Sequence, residues 1–168
     1  MINTRKSSLL YKILAFIGKR IISSIEFFIS KCVKAGVIFP DTDFEWIKEI
    51  EGHYPEILEE YENLLKEKRL TDISQKVEEQ QIVVDKDKWL FFPLYAYGYP
   101  IHKNIQLCPK TNQAIKKIPR YSGVFFSTIT PGTYIKPHRG LYKGYLRFHL
   151  GLIVPEELEA NKTCRIRI

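Results

Sequence analysis

Only three of the 168 residues are cysteine, Cys32, Cys108 and Cys164, and no two of them form a C-x-x-C pair. An odd, widely spaced set argues against a disulfide framework and a zinc knuckle, and points to a reducing compartment and a cytoplasmic location. Long apolar runs are missing too. Residues 9 to 39 are rich in Ile, Leu and Phe, but Lys12, Lys19, Arg20, Glu26, Lys31 and Lys34 interrupt them. No stretch therefore reaches the roughly 20 residues of a spanning helix, and the same charges spoil a signal-peptide core. Internal repeats and low-complexity segments are absent, and no Asp or Glu occurs between Ser122 and Val154. A metal site built in that last stretch would have to do without a neighbouring carboxylate.

What is present suits one folded domain: 45% hydrophobic and 13% aromatic residues supply a core. The net charge of +7 would admit nucleic acid, an anionic membrane face or an anionic small molecule as partner. Its placement says more than its sum. Before Pro40 there are seven basic residues against Glu26 alone, whereas from Asp41 to Glu67 there are ten acids against Lys48 and Lys66. The sign change divides the protein into a basic appendage, 1–40, and a body, 41–168, whose helical part is 41–80 and whose strand-rich part is 81–168.

Placing residues 7–36 at helical spacing gives one stripe of Leu10, Leu14, Ile17, Ile21, Ile25, Phe28 and Cys32, with most charges opposite. Two uses are open for such a helix: packing on the body or on another copy of itself, or lying on an anionic membrane surface with Phe16 and Phe27 on its charged side. Asp41 or Thr42 can cap a short helix carrying Phe44, Trp46 and Ile47. Pro55 suits the first turn of a longer helix that presents Ile57, Leu58, Tyr61, Leu64 and Leu65 to a sheet and leaves Glu59, Glu60, Glu62 and Lys66 in solvent. From Gln81 the pattern is β-rich: Ile82-Val83-Val84, Trp89 to Phe92 and Leu94 to Tyr97, broken at Asp85, Pro93 and Gly98. Thr111 to Ile118 can form a helix. Strands are expected at Gly123 to Ile129, Thr133 to Ile135, Tyr145 to Val154 and Cys164 to Ile168, which makes the class α+β with a strand half like part of a sandwich or jelly roll.

Taken as a strand, Tyr145 to Leu152 points Tyr145, Arg147, His149 and Gly151 to one face and Leu146, Phe148, Leu150 and Leu152 to the other. A guanidinium two residues from an imidazole is either a solvated pair or a carboxylate clamp, since Arg forks onto a carboxylate through two parallel hydrogen bonds. Upstream, Thr130-Pro131-Gly132-Thr133 is a turn by composition and delivers His138 on a backbone stiffened by Pro137. An imidazole held there is exposed or ligates Fe(II). The facial triad, with a carboxylate two residues after the first histidine, is ruled out by Gly140.

Together, Ser127-x-x-x-Pro131-Gly132-Thr133-x-x-x-Pro137-His138-x-Gly140 and Arg147-x-His149-Leu150-Gly151-Leu152-x-x-Pro155 resemble the aspartyl/asparaginyl β-hydroxylases, over about Trp89 to Ile168. The resemblance implies a double-stranded β-helix of the cupin-like jelly-roll type, preceded by helices, that hydroxylates a carbon with Fe(II), O₂ and 2-oxoglutarate as cosubstrate. It implies His138 as the first iron ligand, Arg147 and His149 on the cosubstrate carboxylate nearest the metal, and Ser127 on the distal one. The lack of a carboxylate ligand is a family trait that fits Gly140. The family's second iron-binding histidine, and the arginine for the distal carboxylate, lie on strands beyond the last one here. The β-helix is thus expected to be incomplete, the polypeptide truncated at its C-terminal end and, as written, inactive. His53 and His102 precede the motif and are expected to be ordinary surface or loop histidines.

The family's substrates range from Asp or Asn side chains in proteins and peptides to lipid acyl chains, and Tyr95, Tyr97, Tyr134 and Tyr142 are candidate wall residues. The basic segment 7–36 suits peripheral association with an anionic membrane. The rival reading is a non-catalytic basic module that docks an anionic membrane or nucleic acid. Nucleic acid is disfavoured, because the basic residues are not interleaved with aromatics along a strand face as a stacking platform requires.

Overall fold

The computed structural model describes residues 9–32, 38–72, 88–138, 145–155, 164 and 166. The protein forms two compact units, one of Met1–Ile38 with Arg139–Phe148, the other of Phe39–His138 with His149–Ile168.

The first unit holds helix α1, Leu9–Cys32, 24 residues and so about 36 Å long. The helical period anticipated it. Its first turn lacks an acid and its last turn carries Lys31, whose ammonium lies 5.6 Å from the Phe27 ring centroid. Ile17, Ile21, Ile25 and Phe28 are all exposed. They border an open groove of about 360 Å³ that runs from Phe16 to Phe28 and takes in Arg20 and Ser24. Among the described residues no helix is long and apolar enough to cross a membrane.

The second unit opens with a 3₁₀ turn at Asp41–Asp43, followed by α2, Trp46–Gly52, and α3, Tyr54–Lys66. Asp41 and Thr42 lie inside the 3₁₀ turn, and α2 has no side-chain cap; the expected cap is corrected, because Phe44 and Glu45 intervene. Pro55 stands in the first turn of α3, where its missing N–H costs nothing.

Among the described residues four strands follow: β1, Thr71–Asp72; β2, Trp89–Ala96; β3, Tyr99–Pro100; and β4, Val124–Ile129. β1, β3 and β4 each pair antiparallel with β2. Since Leu90, Phe91 and Tyr95 pair with β4 as well as with β1 or β3, β1 and β3 share one edge of β2 and β4 takes the other. Pro93 was expected to split this segment, yet β2 runs through it: the register with β4 shifts between Pro93 and Tyr95. A bulge is where a strand accommodates a residue that cannot donate to the ladder. The β2–β3 turn is Tyr97-Gly98, with φ of 52° and 81°, the doubly positive signature of a type I′ hairpin.

Helices α4, His102–Ile105, and α5, Pro109–Ile115, precede β4; the second is shorter than the Thr111 to Ile118 expectation. The core joins Ile57, Tyr61 and Leu64 of α3 to Phe92 and Leu94 of β2, Phe126 of β4, and Ala114 and Ile115 of α5. Tyr61 stacks on Phe126 with centroids 5.4 Å apart. Tyr95, a candidate wall residue, is instead core: it is buried, meets Tyr121 edge-on at 4.8 Å and donates its hydroxyl to Asn112 Oδ1 at 2.5 Å. Burial, with Tyr121 beside it, raises the phenol pKa.

Glu60 overturns the fully solvated acidic face. It is buried and accepts from Lys110 N at 2.7 Å, Thr111 N at 2.8 Å and Thr111 Oγ1 at 2.6 Å. These donors belong to the first turn of α5, which has no side-chain cap from Cys108, so a carboxylate from α3 satisfies them and clamps the two helices together.

The mixed helix and antiparallel sheet make the class α+β. Strands expected at Thr133 to Ile135 and Tyr145 to Val154 are not formed at their described residues, where no ladder partner exists among the described strands. Ile82-Val83-Val84 lies outside the described residues, as does most of Cys164 to Ile168.

Candidate functional site

The sheet sorts β4 by its two-residue period. Phe126 and Thr128 turn towards α3, where Tyr61 Oη and Thr128 Oγ1 are 2.7 Å apart. Phe125, Ser127 and Ile129 are exposed. Ser127 pairs in register with Phe91, and the Phe91 and Phe125 rings meet edge-on at 6.4 Å. Trp89 Nε1 donates to Ser127 Oγ at 2.9 Å. An indole nitrogen can only donate, so the serine oxygen accepts and its own hydroxyl hydrogen is left for an anionic acceptor.

Past β4 the turn is pinned as its composition suggested. Gly132 has φ of 73°, the value required at the third position of a type II turn after Pro131. Thr133 N bonds Thr130 O at 3.2 Å, and Thr130 N bonds Lys88 O at 3.1 Å. Thr133 Oγ1 donates to Thr130 O at 2.6 Å. The backbone then runs without regular structure to His138, which is exposed. His138 Nδ1 lies 2.9 Å from Lys136 O. A carbonyl can only accept, so Nδ1 carries the proton and the neutral ring keeps its lone pair on Nε2.

His149 is also exposed, but the residues after it are anchored. Leu150 and Leu152 pack against the core, and Tyr54 Oη of α3 donates to Leu152 O at 2.6 Å. A Cβ on Gly151 would stand 3.1 Å from Val154 Cγ2, so this bend is tight for any larger residue. Ser127, His138 and His149 belong to the second compact unit; Arg147, exposed as well, belongs to the first.

Among the described residues no three His, Cys, Asp or Glu side chains gather closely enough to hold a metal ion. His102 is exposed at the start of α4, and His53, half-buried between α2 and α3, stands 3.9 Å from Glu56. Cys108 is buried, and burial, with Glu60 adding to it, pushes its thiol up to about 12; it is neither nucleophile nor ligand at neutral pH. Tyr97 and Tyr134 are exposed and Tyr142 lies outside the described residues. Sequence reasoning missed two supports, Trp89 behind Ser127 and Tyr54 behind Leu152, because both act across long sequence separations that no local pattern marks.

Comparison with known proteins agrees with the motif. A family model described as Aspartyl/Asparaginyl beta-hydroxylase matches residues 51–168. The ornithine lipid ester-linked acyl 2-hydroxylase of Rhizobium tropici is 38% identical over 120 residues, 71% of this chain and 43% of that protein. The human aspartyl/asparaginyl beta-hydroxylase is 32% identical over 94 residues, 53% of this chain and 12% of that protein. Aspartate beta-hydroxylase domain-containing protein 2 of Xenopus tropicalis is 35% identical over 78 residues, 43% of this chain and 21% of that protein. The chain thus spans less than half the length of these curated relatives.

Proposed function

Because the chain belongs to the aspartyl/asparaginyl β-hydroxylase family, we propose that it carries part of an Fe(II)- and 2-oxoglutarate-dependent hydroxylase on a double-stranded β-helix, with a lipid acyl group as the favoured substrate. The preference for a lipid over an aspartyl or asparaginyl side chain follows from the reach of the similarity: 71% of the sequence for the ornithine-lipid enzyme against 53% for the human one. When bound, iron with its keto-acid cosubstrate supplies the oxidation, coupling O₂ reduction and decarboxylation to hydroxylation of carbon.

The observation that supports the reading is the hydrogen-bonded imidazole of His138. His138 would offer Nε2 to the metal, with Nδ1–H held by Lys136 O, the outer hydrogen bond that orients an imidazole ligand and raises its basicity. Ser127 would donate to the distal carboxylate of 2-oxoglutarate, its oxygen steadied by Trp89. Arg147 would fork onto the carboxylate nearer the iron, and His149 would donate to it. Of these four residues only His138 would ligate iron, and an imidazole nitrogen suits Fe(II); the other three would hold the cosubstrate.

The test is succinate formation from 2-oxoglutarate with Fe(II), ascorbate and an acyl-lipid acceptor, measured on this sequence fused to the C-terminal strands of a family relative. His138→Ala is expected to abolish it. Ser127→Ala removes a hydrogen bond to a charged group and should raise the KM for 2-oxoglutarate about 10- to 100-fold. Turnover that survives His138→Ala would end the proposal.

A further inference from the structure

The positive charge of this protein is segregated. The unit made of Met1–Ile38 and Arg139–Phe148 contains ten Lys or Arg residues and one acid, Glu26, a net +9. The other unit is therefore −2 within the total of +7. The same basic unit holds a run of exposed apolar side chains. Along α1, Ile17, Ile21 and Ile25 are 47%, 54% and 52% exposed and Phe28 68%, beside the groove that also takes in Arg20. Tyr145 and Leu146 of the same unit are exposed too.

We propose that this unit is a docking surface for an anionic phospholipid bilayer, with α1 lying in the plane of the interface. Each feature narrows the choice of occupant. A half-exposed apolar stripe asks for an acyl phase or an apolar partner. A second copy of this protein would bring a like charge of +9 to the same contact, and repulsion opposes that pairing. A nucleic acid would answer the charge but leave the isoleucines in water. An anionic bilayer answers both, since basic residues near its surface each strengthen binding while the apolar face enters the acyl boundary. Arg20 and Lys31 sit on stems long enough to reach headgroups from the rim of that face.

The experiment is co-sedimentation of the 168-residue protein with vesicles of phosphatidylcholine alone or with about 30% phosphatidylglycerol. The expected result is binding at least about tenfold tighter to the phosphatidylglycerol vesicles, weakened when salt is raised to about 0.5 M. Ile21→Asp with Ile25→Asp should remove that binding while the far-ultraviolet circular dichroism of the protein persists. A Phe28→Trp reporter should shift its emission to the blue on vesicle addition. Equal binding to both vesicle types, binding to neither, or retention by the double variant would overturn the proposal. So would light scattering that shows the double variant breaking up a dimer. Vesicle binding needs no turnover, so its failure would leave the hydroxylase reading standing.

Discussion

At the scale of single residues, Glu60 decides more than its charge suggests. Two backbone N–H groups and a hydroxyl of α5 depend on its carboxylate, and Thr111 is buried. Removing the acceptors strands those donors, whereas an amide keeps one of them. Glu60→Ala should therefore cost about 3 kcal/mol and Glu60→Gln about 1 kcal/mol, read as shifts of the urea midpoint at constant slope. Equal midpoints for Glu60→Ala and the parent protein would refute the clamp. The residue was legible in principle: it follows Ile57 by three and precedes Leu64 by four, a spacing that turns it towards the buried side of α3. Its acidic neighbours Glu59 and Glu62 disguised it as part of a solvated run.

At the scale of elements, helices are more legible in the sequence than strands. The 3.6-residue period of α3 and of α1, and Pro55 at a helix start, are local signals. A strand, by contrast, exists only where a partner lies alongside, and the alternation in Tyr145 to Val154 carries no information about whether one does. Pro93 misled for a related reason, since a bulge absorbs what an uninterrupted ladder would reject. The candidate residues themselves were legible only through the spaced motif, because a serine, two histidines and an arginine on exposed backbone show no period. The β2–β3 hairpin offers a clean element-scale test. Tyr97 holds a φ of 52°, a left-handed conformation that suits Asn far better than an aromatic residue. Tyr97→Asn is expected to stabilise the fold by about 0.5–1 kcal/mol, seen as a higher thermal midpoint. A lower midpoint would mean that the exposed ring makes contacts worth more than the strain.

At the scale of the whole molecule, the site motif depends on attachments far away in sequence. Tyr54→Phe deletes one hydrogen bond, and hydrogen exchange at residues 150–155 should speed up several-fold, at a cost of about 1 kcal/mol, while amides of β2 and β4 keep their protection. Uniform acceleration across the sheet would show that the tether supports the whole core and not this segment alone. The segregation of charge belongs to the same scale. A net +7 is a weak guide to partners when it is the difference between a strongly basic unit and a mildly acidic one.

The bond between Tyr54 and Leu152 spans 98 positions. A ribosome adding about 5–20 residues each second makes the phenol some 5–20 s before the carbonyl it will hold. Within that interval β1 to β4 are completed, so that α3 can dock on them before the strip that bears His149 is synthesised. The last part of the motif to be secured is thus also the last to be translated.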